Sequence, residues 1–148
     1  MGTFPSLYYG ASFEPHAIIV GKPLANIGTI ARRGRLEAPG VFNTSFDVLR
    51  HQTGGVSSQY MEDLDQTFWN NFKKADFSNT TFGFSYMKDE DMDSKAYDQL
   101  VEHLCYTGAK ILSKGTDGRH NDDTNTNVAW FLHFYHMILK SDFGRGDK

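Results

Sequence analysis

The chain has 148 residues, with 15 basic and 18 acidic side chains and a formal net charge of −3. Its length predicts a single domain over residues 1–148, because domains usually hold roughly 100–200 residues. No apolar run approaches the ~18 residues of a membrane-spanning helix, and the single cysteine excludes an intramolecular disulfide framework. The acidic balance excludes a protein that binds nucleic acid over its whole surface.

The first 57 residues predict an irregular segment that is rich in glycine and proline and contains only short strands. Each proline lacks a backbone donor and restrains the residue before it, so regular elements have little room. Three short apolar runs fit strands, and Gly54-Gly55 predicts a turn after them. The prolines are Pro5, Pro15, Pro23 and Pro39, and the predicted strands are Ala17–Val20, Ile27–Leu36 and Val41–Leu49.

Residues 58–87 predict a helix followed by a strand. The helix begins at Ser58, and its apolar side chains recur at helical spacing. In the strand, Thr80–Met87, bulky aromatic residues alternate with small ones, which is the period of a β-strand. The apolar helical residues are Met61, Leu64, Phe68 and Phe72, and the alternating strand residues are Phe82, Gly83, Phe84, Ser85 and Tyr86.

A second helix is predicted from Ser94, which can cap its amino end, to Lys114-Gly115, a cation and a flexible residue typical of a helix end. Gly108 lies within its apolar stripe, and we interpret this glycine as a place where another backbone approaches closely. The stripe consists of Tyr97, Leu100, Val101, Leu104, Gly108, Ile111 and Leu112.

The third predicted helix, in residues 128–139, is apolar on two faces. A surface helix normally carries one apolar stripe, so the second face must meet another subunit or the N-terminal half of the chain. The face assigned to the protein's own core contains Val128, Phe131, Leu132, Tyr135, Ile138 and Leu139. The face predicted as an interface contains Trp130, His133, Phe134 and Met137.

The order of these elements predicts the fold class. Strands are expected only in the first 87 residues, and helices fill most of the remainder. The sequence therefore predicts an α+β fold in which an irregular, β-containing N-terminal half is followed by about three helices.

His103, Cys105, His133 and His136 are the side chains that could bind a metal ion. Nitrogen and sulfur donors suit tetrahedral zinc, and the last two histidines are neighbours on one helix because they are three residues apart. Zinc motifs carry two such pairs, however, and His133 lies among aromatic residues, where a neutral core histidine is the common outcome. We therefore predict no metal or other cofactor, and a small metal-dependent hydrolase is kept as an alternative.

The strongest basic cluster is Arg32-Arg33-Gly34-Arg35. Arginine binds phosphate with two parallel hydrogen bonds, and a local patch suffices to contact a nucleic-acid backbone. A solvated turn explains the same residues, and salt bridges to a neighbouring subunit are a third explanation. Arg32, Arg33 and Arg35 are thus candidate anion-binding residues, and nucleic-acid binding is a second alternative function.

No sequence motif points to catalysis, since neither a phosphate-binding glycine loop nor a nucleophile elbow is present. With 12 Phe, 7 Tyr and 2 Trp, the chain is rich in residues that are enriched in interface cores. The sequence therefore predicts a non-catalytic, self-associating structural or assembly subunit (a coat, virion or other multimeric component) that binds itself or another protein.

No secretory signal is visible, which predicts a cytoplasmic location or a place within an assembled particle. Gly2 fits the pattern for N-myristoylation.

Overall fold

The computed structural model describes residues 3–37, 47, 50–51, 57–119 and 124–143. Within these ranges, no helix combines the length and the apolar character that crossing a membrane requires. The main elements, in chain order, are α1 (Thr3–Phe13), β1 (Ala17–Gly21), α2 (Ile27–Glu37), α3 (Ser58–Phe72), β2 (Thr81–Met87), α4 (Asp91–Leu104), β3 (Lys110–Thr116) and α5 (Thr124–Phe143).

The three strands form one parallel sheet in the order β1-β2-β3. Ala17 of β1 pairs with Thr81 of β2, which pairs in turn with Lys110 of β3. Parallel neighbours cannot be joined by a tight turn and need a crossover connection. Helices lie in both connections, so the chain forms two successive strand–helix–strand units.

Side chains alternate across the strands and give the sheet two faces. The first face packs against α1, α3 and α4 and contains the main core, and the second face lies under α5. The sheet is therefore covered by helices on both sides, as parallel sheets usually are. The buried core on the first face consists of Leu7, Ala11, Ile18, Val20, Ala25, Phe68, Phe72, Phe77, Phe82, Phe84, Ala96, Leu100 and Leu104.

Aromatic rings join α3 to the first face of the sheet. The Phe72 ring lies 4.8 Å from the ring of Phe77 and 6.3 Å from the ring of Phe82, between centroids. Phe68 stacks on Phe72 at 5.5 Å, and all four rings are fully buried. Because burying one such side chain contributes about 1.5–3 kcal/mol, this cluster stabilises the contact between α3 and β2.

The prediction of an irregular N-terminal segment is wrong, because α1 and α2 lie within it. Pro5 lies in the first turn of α1, where its missing N–H removes no helical hydrogen bond. Residues 27–36, predicted as a strand, lie in α2. The amino end of α2 is capped from α3, because the Asp65 carboxylate accepts hydrogen bonds from the N–H groups of Gly28 and Thr29 at 2.7 and 3.0 Å.

Several local predictions are confirmed. The strand at Ala17–Val20, the helix from Ser58 and the strand at Thr80–Met87 correspond to β1, α3 and β2 within one residue at each end. The Ser57 hydroxyl caps α3 by accepting a hydrogen bond from the Tyr60 N–H at 3.2 Å. The predicted strand Val41–Leu49 lies outside the described residues except for Asp47.

The second predicted helix is only partly right. It begins at Asp91, before the predicted Ser94, and ends at Leu104, and residues 110–116 form β3. Gly108 has a φ of +81°, a left-handed conformation that glycine adopts readily, so it lets the chain turn into the strand rather than admitting another backbone. The prediction of mixed helices and strands is confirmed, although the strands are interleaved with the helices rather than placed before them.

Candidate interaction surface

Helix α5 packs on the second face of the sheet through Phe134 and Ile138, which are 4% and 7% exposed. A Cβ atom on Gly83 would lie 3.2 Å from Phe134 Cβ and 3.3 Å from Ile19 Cγ2. Because Gly83 lacks that atom, the Phe134 side chain can approach β2 closely. Ile19 belongs to the N-terminal half of the chain, which is one of the two covers that the sequence predicts for this side of the helix.

A second stripe of apolar side chains on α5 faces solvent. Val128, Phe131, Leu132 and Tyr135 recur at helical spacing and are 39–53% exposed; we call these four residues the α5 apolar flank. Met137 is also exposed, so five of the nine large hydrophobic side chains exposed in the described part of the chain lie on this helix. Contiguous exposed apolar surface typically marks a site of contact with another polypeptide.

Trp130 shows how α5 is oriented over the strands. The Lys114 ammonium of β3 lies 5.0 Å from the centre of the Trp130 ring, within the range of a cation–π interaction. Successive residues of a helix are rotated by about 100°, which places Trp130 on one side of Phe134 and the α5 apolar flank on the other. The Trp130 side of α5 therefore lies over β3.

The buried side of this helix takes residues from both predicted faces. Phe134, predicted to meet another subunit or the N-terminal half, and Ile138, predicted for the core, are buried on the sheet, whereas Phe131, Leu132 and Tyr135, also predicted for the core, are exposed. A 3.6-residue period identifies two apolar stripes but does not say which of them the sheet will accept. Among the other predicted interface residues, Trp130 is partly buried, and His133 and Met137 are exposed.

The structure does not bring the candidate metal ligands together. His103 and Cys105 lie at the carboxyl end of α4, which packs on the first face of the sheet, whereas His133 and His136 lie on α5, over the second face. Among the described residues, no group of three His, Cys, Asp or Glu side chains could hold a metal ion. The four candidate ligands therefore do not form one site for the metal-dependent hydrolase that the sequence leaves as an alternative.

A cleft of about 400 Å³ lies between the carboxyl ends of α3 and α4. Burial, and secondarily the charge of Lys73, lowers the pKa of His103 in this cleft below its ordinary value. No sequence motif marks the cleft, because two separate helices supply its residues. The lining side chains are Trp69, Lys73, Gln99, Glu102, His103 and Tyr106.

The basic cluster lies on α2 and not in a turn. Arg32 is exposed, and Arg33 lines a cleft of about 270 Å³ together with Lys95 of α4; the side chain of Arg35 lies outside the described part. The amino end of α2, which would otherwise favour an anion, is already occupied by the Asp65 carboxylate. Nothing in the described part of the chain favours nucleic-acid binding.

An ion pair joins the loops that follow β2 and β3. The Lys88 ammonium lies 2.7 Å from the Asp117 carboxylate, and this hydrogen bond lowers the pKa of Asp117 and raises the pKa of Lys88 from their ordinary values. The Gly118 N–H also donates to the Asp89 carboxylate at 2.7 Å. Both charged groups of the ion pair are exposed, so the pair positions the loops and contributes little stability.

The chain matches one protein family over nearly its whole length. The profile of the family described as "Accessory Sec system GspB-transporter" matches residues 1–145. Accessory Sec system proteins of Streptococcus gordonii and Staphylococcus aureus are 50% and 46% identical to it over 145 residues. Each alignment covers 98% of this chain and 28% of the relative, so the chain spans less than a third of the length of these relatives.

Two solved structures are also similar. A chain of the "Glycosylation Associate Protein (Gap123) complex from Streptococcus agalactiae" has a TM-score of 0.86 and 44% identity, over 97% of this chain and 28% of that chain. A capsule O-acetyltransferase of Neisseria meningitidis has a TM-score of 0.63 and 17% identity, over 90% of this chain and 51% of that chain. At the lower identity, the similarity concerns the fold alone.

Proposed function

The chain belongs to the Accessory Sec system GspB-transporter family, and on that basis we propose that it is a non-catalytic, protein-binding component of an accessory Sec assembly. Two comparisons support the proposal. Relatives of this chain are accessory Sec system proteins, and one similar chain belongs to a complex of glycosylation-associated proteins.

The α5 apolar flank is the observation that carries the proposal. The helix already packs on its own sheet through Phe134 and still leaves four large apolar side chains about half exposed. Two of these side chains, Phe131 and Tyr135, are aromatic, and aromatic residues are enriched where proteins meet. A helix of this kind is suited to hold a second polypeptide segment.

A chimera tests this proposal. This chain replaces the matched segment of the S. agalactiae chain, and the complex is isolated by size-exclusion chromatography. We expect the chimera to enter the complex in the same proportion as the natural chain. The double variant Phe131→Ser, Leu132→Ser should enter it less, whereas the control Lys140→Ser, exposed on another side of α5, should enter it normally. A folded chimera that stays out of the complex would refute the proposal.

We also propose that the chain associates with itself through the α5 apolar flank. When the chain is expressed alone, two copies can bury the same stripe against each other around a two-fold axis. Light scattering should then show a mass that rises above 16.8 kDa with concentration, and the variant Phe131→Ser, Leu132→Ser should stay monomeric. A mass of 16.8 kDa at every concentration would exclude self-association.

A further inference from the structure

Two clefts meet along α4 and form one groove. Lys95, Gln99 and His103 are spaced four residues apart, so their side chains stand in a row on one side of the helix. Gln99 lines both clefts, which have volumes of about 270 and 400 Å³. We call the two clefts together the α4 groove. Its remaining walls contain residues of α2, of α3 and of the positions beside them: Asn26, Thr29, Ile30, Arg33, Trp69 and Lys73.

The α4 groove has the length of a short extended peptide. From Lys95 to His103 the row spans about 12 Å, because a helix rises about 1.5 Å per residue. An extended chain rises about 3.3 Å per residue, so about four of its residues cover the same distance. A peptide that lies along the groove can therefore place two side chains, four positions apart, in the two clefts.

The lining of the α4 groove is basic, although the chain as a whole is acidic. The described lining residues include three basic side chains, Arg33, Lys73 and Lys95, and one acidic side chain, Glu102. Arg33 and Lys95 line the same cleft. A guanidinium has five donors, so Arg33 can bind a carboxylate beside its other contacts, and the exposed ion pair of Lys95 with Asp91 is weak. This cleft therefore suits an acidic side chain.

The other cleft combines aromatic rings with polar groups. Tyr106 is 86% exposed and Trp69 is partly buried, so their rings offer aromatic surface to an apolar side chain. The Trp69 N–H donates to the Asn26 side-chain oxygen at 2.6 Å, and the Asn26 amide donates to the Gln99 side-chain oxygen at 2.7 Å. These hydrogen bonds hold Trp69 and Gln99 in place in the free protein, which reduces the ordering that binding requires.

His103 supplies a hydrogen-bonding atom that the described residues leave without a partner. Its Nε2 atom is buried and makes no hydrogen bond to them, whereas buried polar groups are nearly always paired. Burial, and secondarily the charge of Lys73, lowers the pKa of His103, so the imidazole is neutral at pH 7 and one of its nitrogens accepts. The side chain is partly exposed on the groove, and a turn of the ring lets a backbone N–H of a bound peptide donate to it.

We propose that the α4 groove binds an extended segment of a partner protein that carries an acidic side chain and, four positions away, an aromatic side chain. The acidic side chain lies between Arg33 and Lys95, and the aromatic side chain lies against Trp69 and Tyr106. Helix α4 packs on the first face of the sheet and α5 on the second. The groove is therefore a second protein-binding surface, separate from the α5 apolar flank, and the two proposals can fail independently.

Peptide titrations followed by NMR test the location of binding. The probes are two short peptides of serine and alanine, each with one aspartate and one phenylalanine four positions apart, in the two possible orders. The chain has two tryptophans and thus two indole N–H signals. At least one peptide should shift the Trp69 signal saturably and leave the signal of Trp130, which lies over β3, unchanged. No saturable shift of the Trp69 signal up to about 1 mM peptide would overturn the proposal. A shift of the Trp130 signal alone would also overturn it, because the peptide would then bind at α5.

Charge reversal tests the contact with the acidic side chain. Lys95→Glu should weaken binding of the aspartate peptide about fivefold or more, and it should bind a peptide with lysine in place of the aspartate better than the unaltered chain does. The control Lys140→Glu makes the same change at an exposed position of α5, outside the groove, and should leave binding unchanged. Equal weakening in both variants would indicate a response to net charge alone and would overturn the proposal. Inorganic phosphate that binds the groove as tightly as the peptide would overturn it too.

Discussion

Gly28→Ala tests the closest helix contact in the structure. A Cβ atom at residue 28 would overlap the carbonyl oxygen of Met61 and would lie 2.6 Å from its carbonyl carbon. Ordinary Cβ contacts begin near 3.4 Å, and the obstacle is backbone, which no side-chain rotation can move away. Helix α2 must therefore shift away from α3 by more than an ångström.

The cost follows from what this shift disrupts. Overpacking of a close contact costs about 1–3 kcal/mol. The shift also weakens the cap of α2, in which the Gly28 and Thr29 N–H groups donate to Asp65, and loss of an N-cap costs about 1 kcal/mol. The better helix propensity of alanine offsets up to about 1 kcal/mol of this loss of stability. We therefore expect the free energy of unfolding to fall by about 2–3 kcal/mol.

Thermal and urea unfolding measure this loss. For a chain of this length, 1 kcal/mol corresponds to about 2–4 °C, so the melting temperature should fall by roughly 5–10 °C. The matched control is Gly10→Ala in α1, where the new Cβ would meet the flexible end of the Ile18 side chain at 2.7 Å; it should change stability by less than about 1 kcal/mol. If Gly28→Ala melts at the wild-type temperature, the contact between α2 and α3 is not as the structure has it.

Substitutions at Phe134, His103 and Asp65 test the packing of α5, the cleft and the cap of α2. Phe134→Ala should cost about 3–5 kcal/mol in urea unfolding because the ring is buried on the sheet, whereas Phe131→Ala on the exposed flank should cost less than about 1 kcal/mol; equal costs would contradict the orientation of α5. Burial lowers the pKa of His103 in the folded state, so the unfolded chain binds more protons and stability should fall as the pH drops through 6.5. In a pH series of urea titrations, His103→Gln should reduce this fall and the exposed control His136→Gln should preserve it; an unchanged slope in His103→Gln would refute the assignment. Asp65→Asn should lower stability by about 1–2 kcal/mol through the weakened cap, and a wild-type melting curve would show that the cap does not contribute.

The sequence by itself determined those elements whose apolar pattern is local. The alternation of Phe82 and Phe84 with small residues predicted β2, and the helical spacing from Met61 to Phe72 predicted α3. Both predictions are confirmed because each pattern lies within one element and is bounded by clear turn residues. The abundance of aromatic residues also indicated a protein rich in packed apolar surface.

Other elements depended on contacts that are distant in the sequence. The residues of helix α2 predict a strand because they form a short apolar run between prolines, and the group that caps the helix, Asp65, lies 37 residues away from Gly28. Ile111 and Leu112 fit a helix or a strand equally well, and pairing with β2 made them part of β3. The parallel sheet therefore had no local signal that could predict it.

The orientation of α5 shows most clearly what only the tertiary structure decided. The sequence determined that this helix has more apolar surface than one contact requires, because Phe131, Phe134 and Tyr135 lie on two stripes. The side that became the inner one depended on Gly83, a residue of another element whose missing side chain leaves space for Phe134. A periodic pattern measures how much surface a helix can bury, whereas the shape of the facing sheet decides which side is buried.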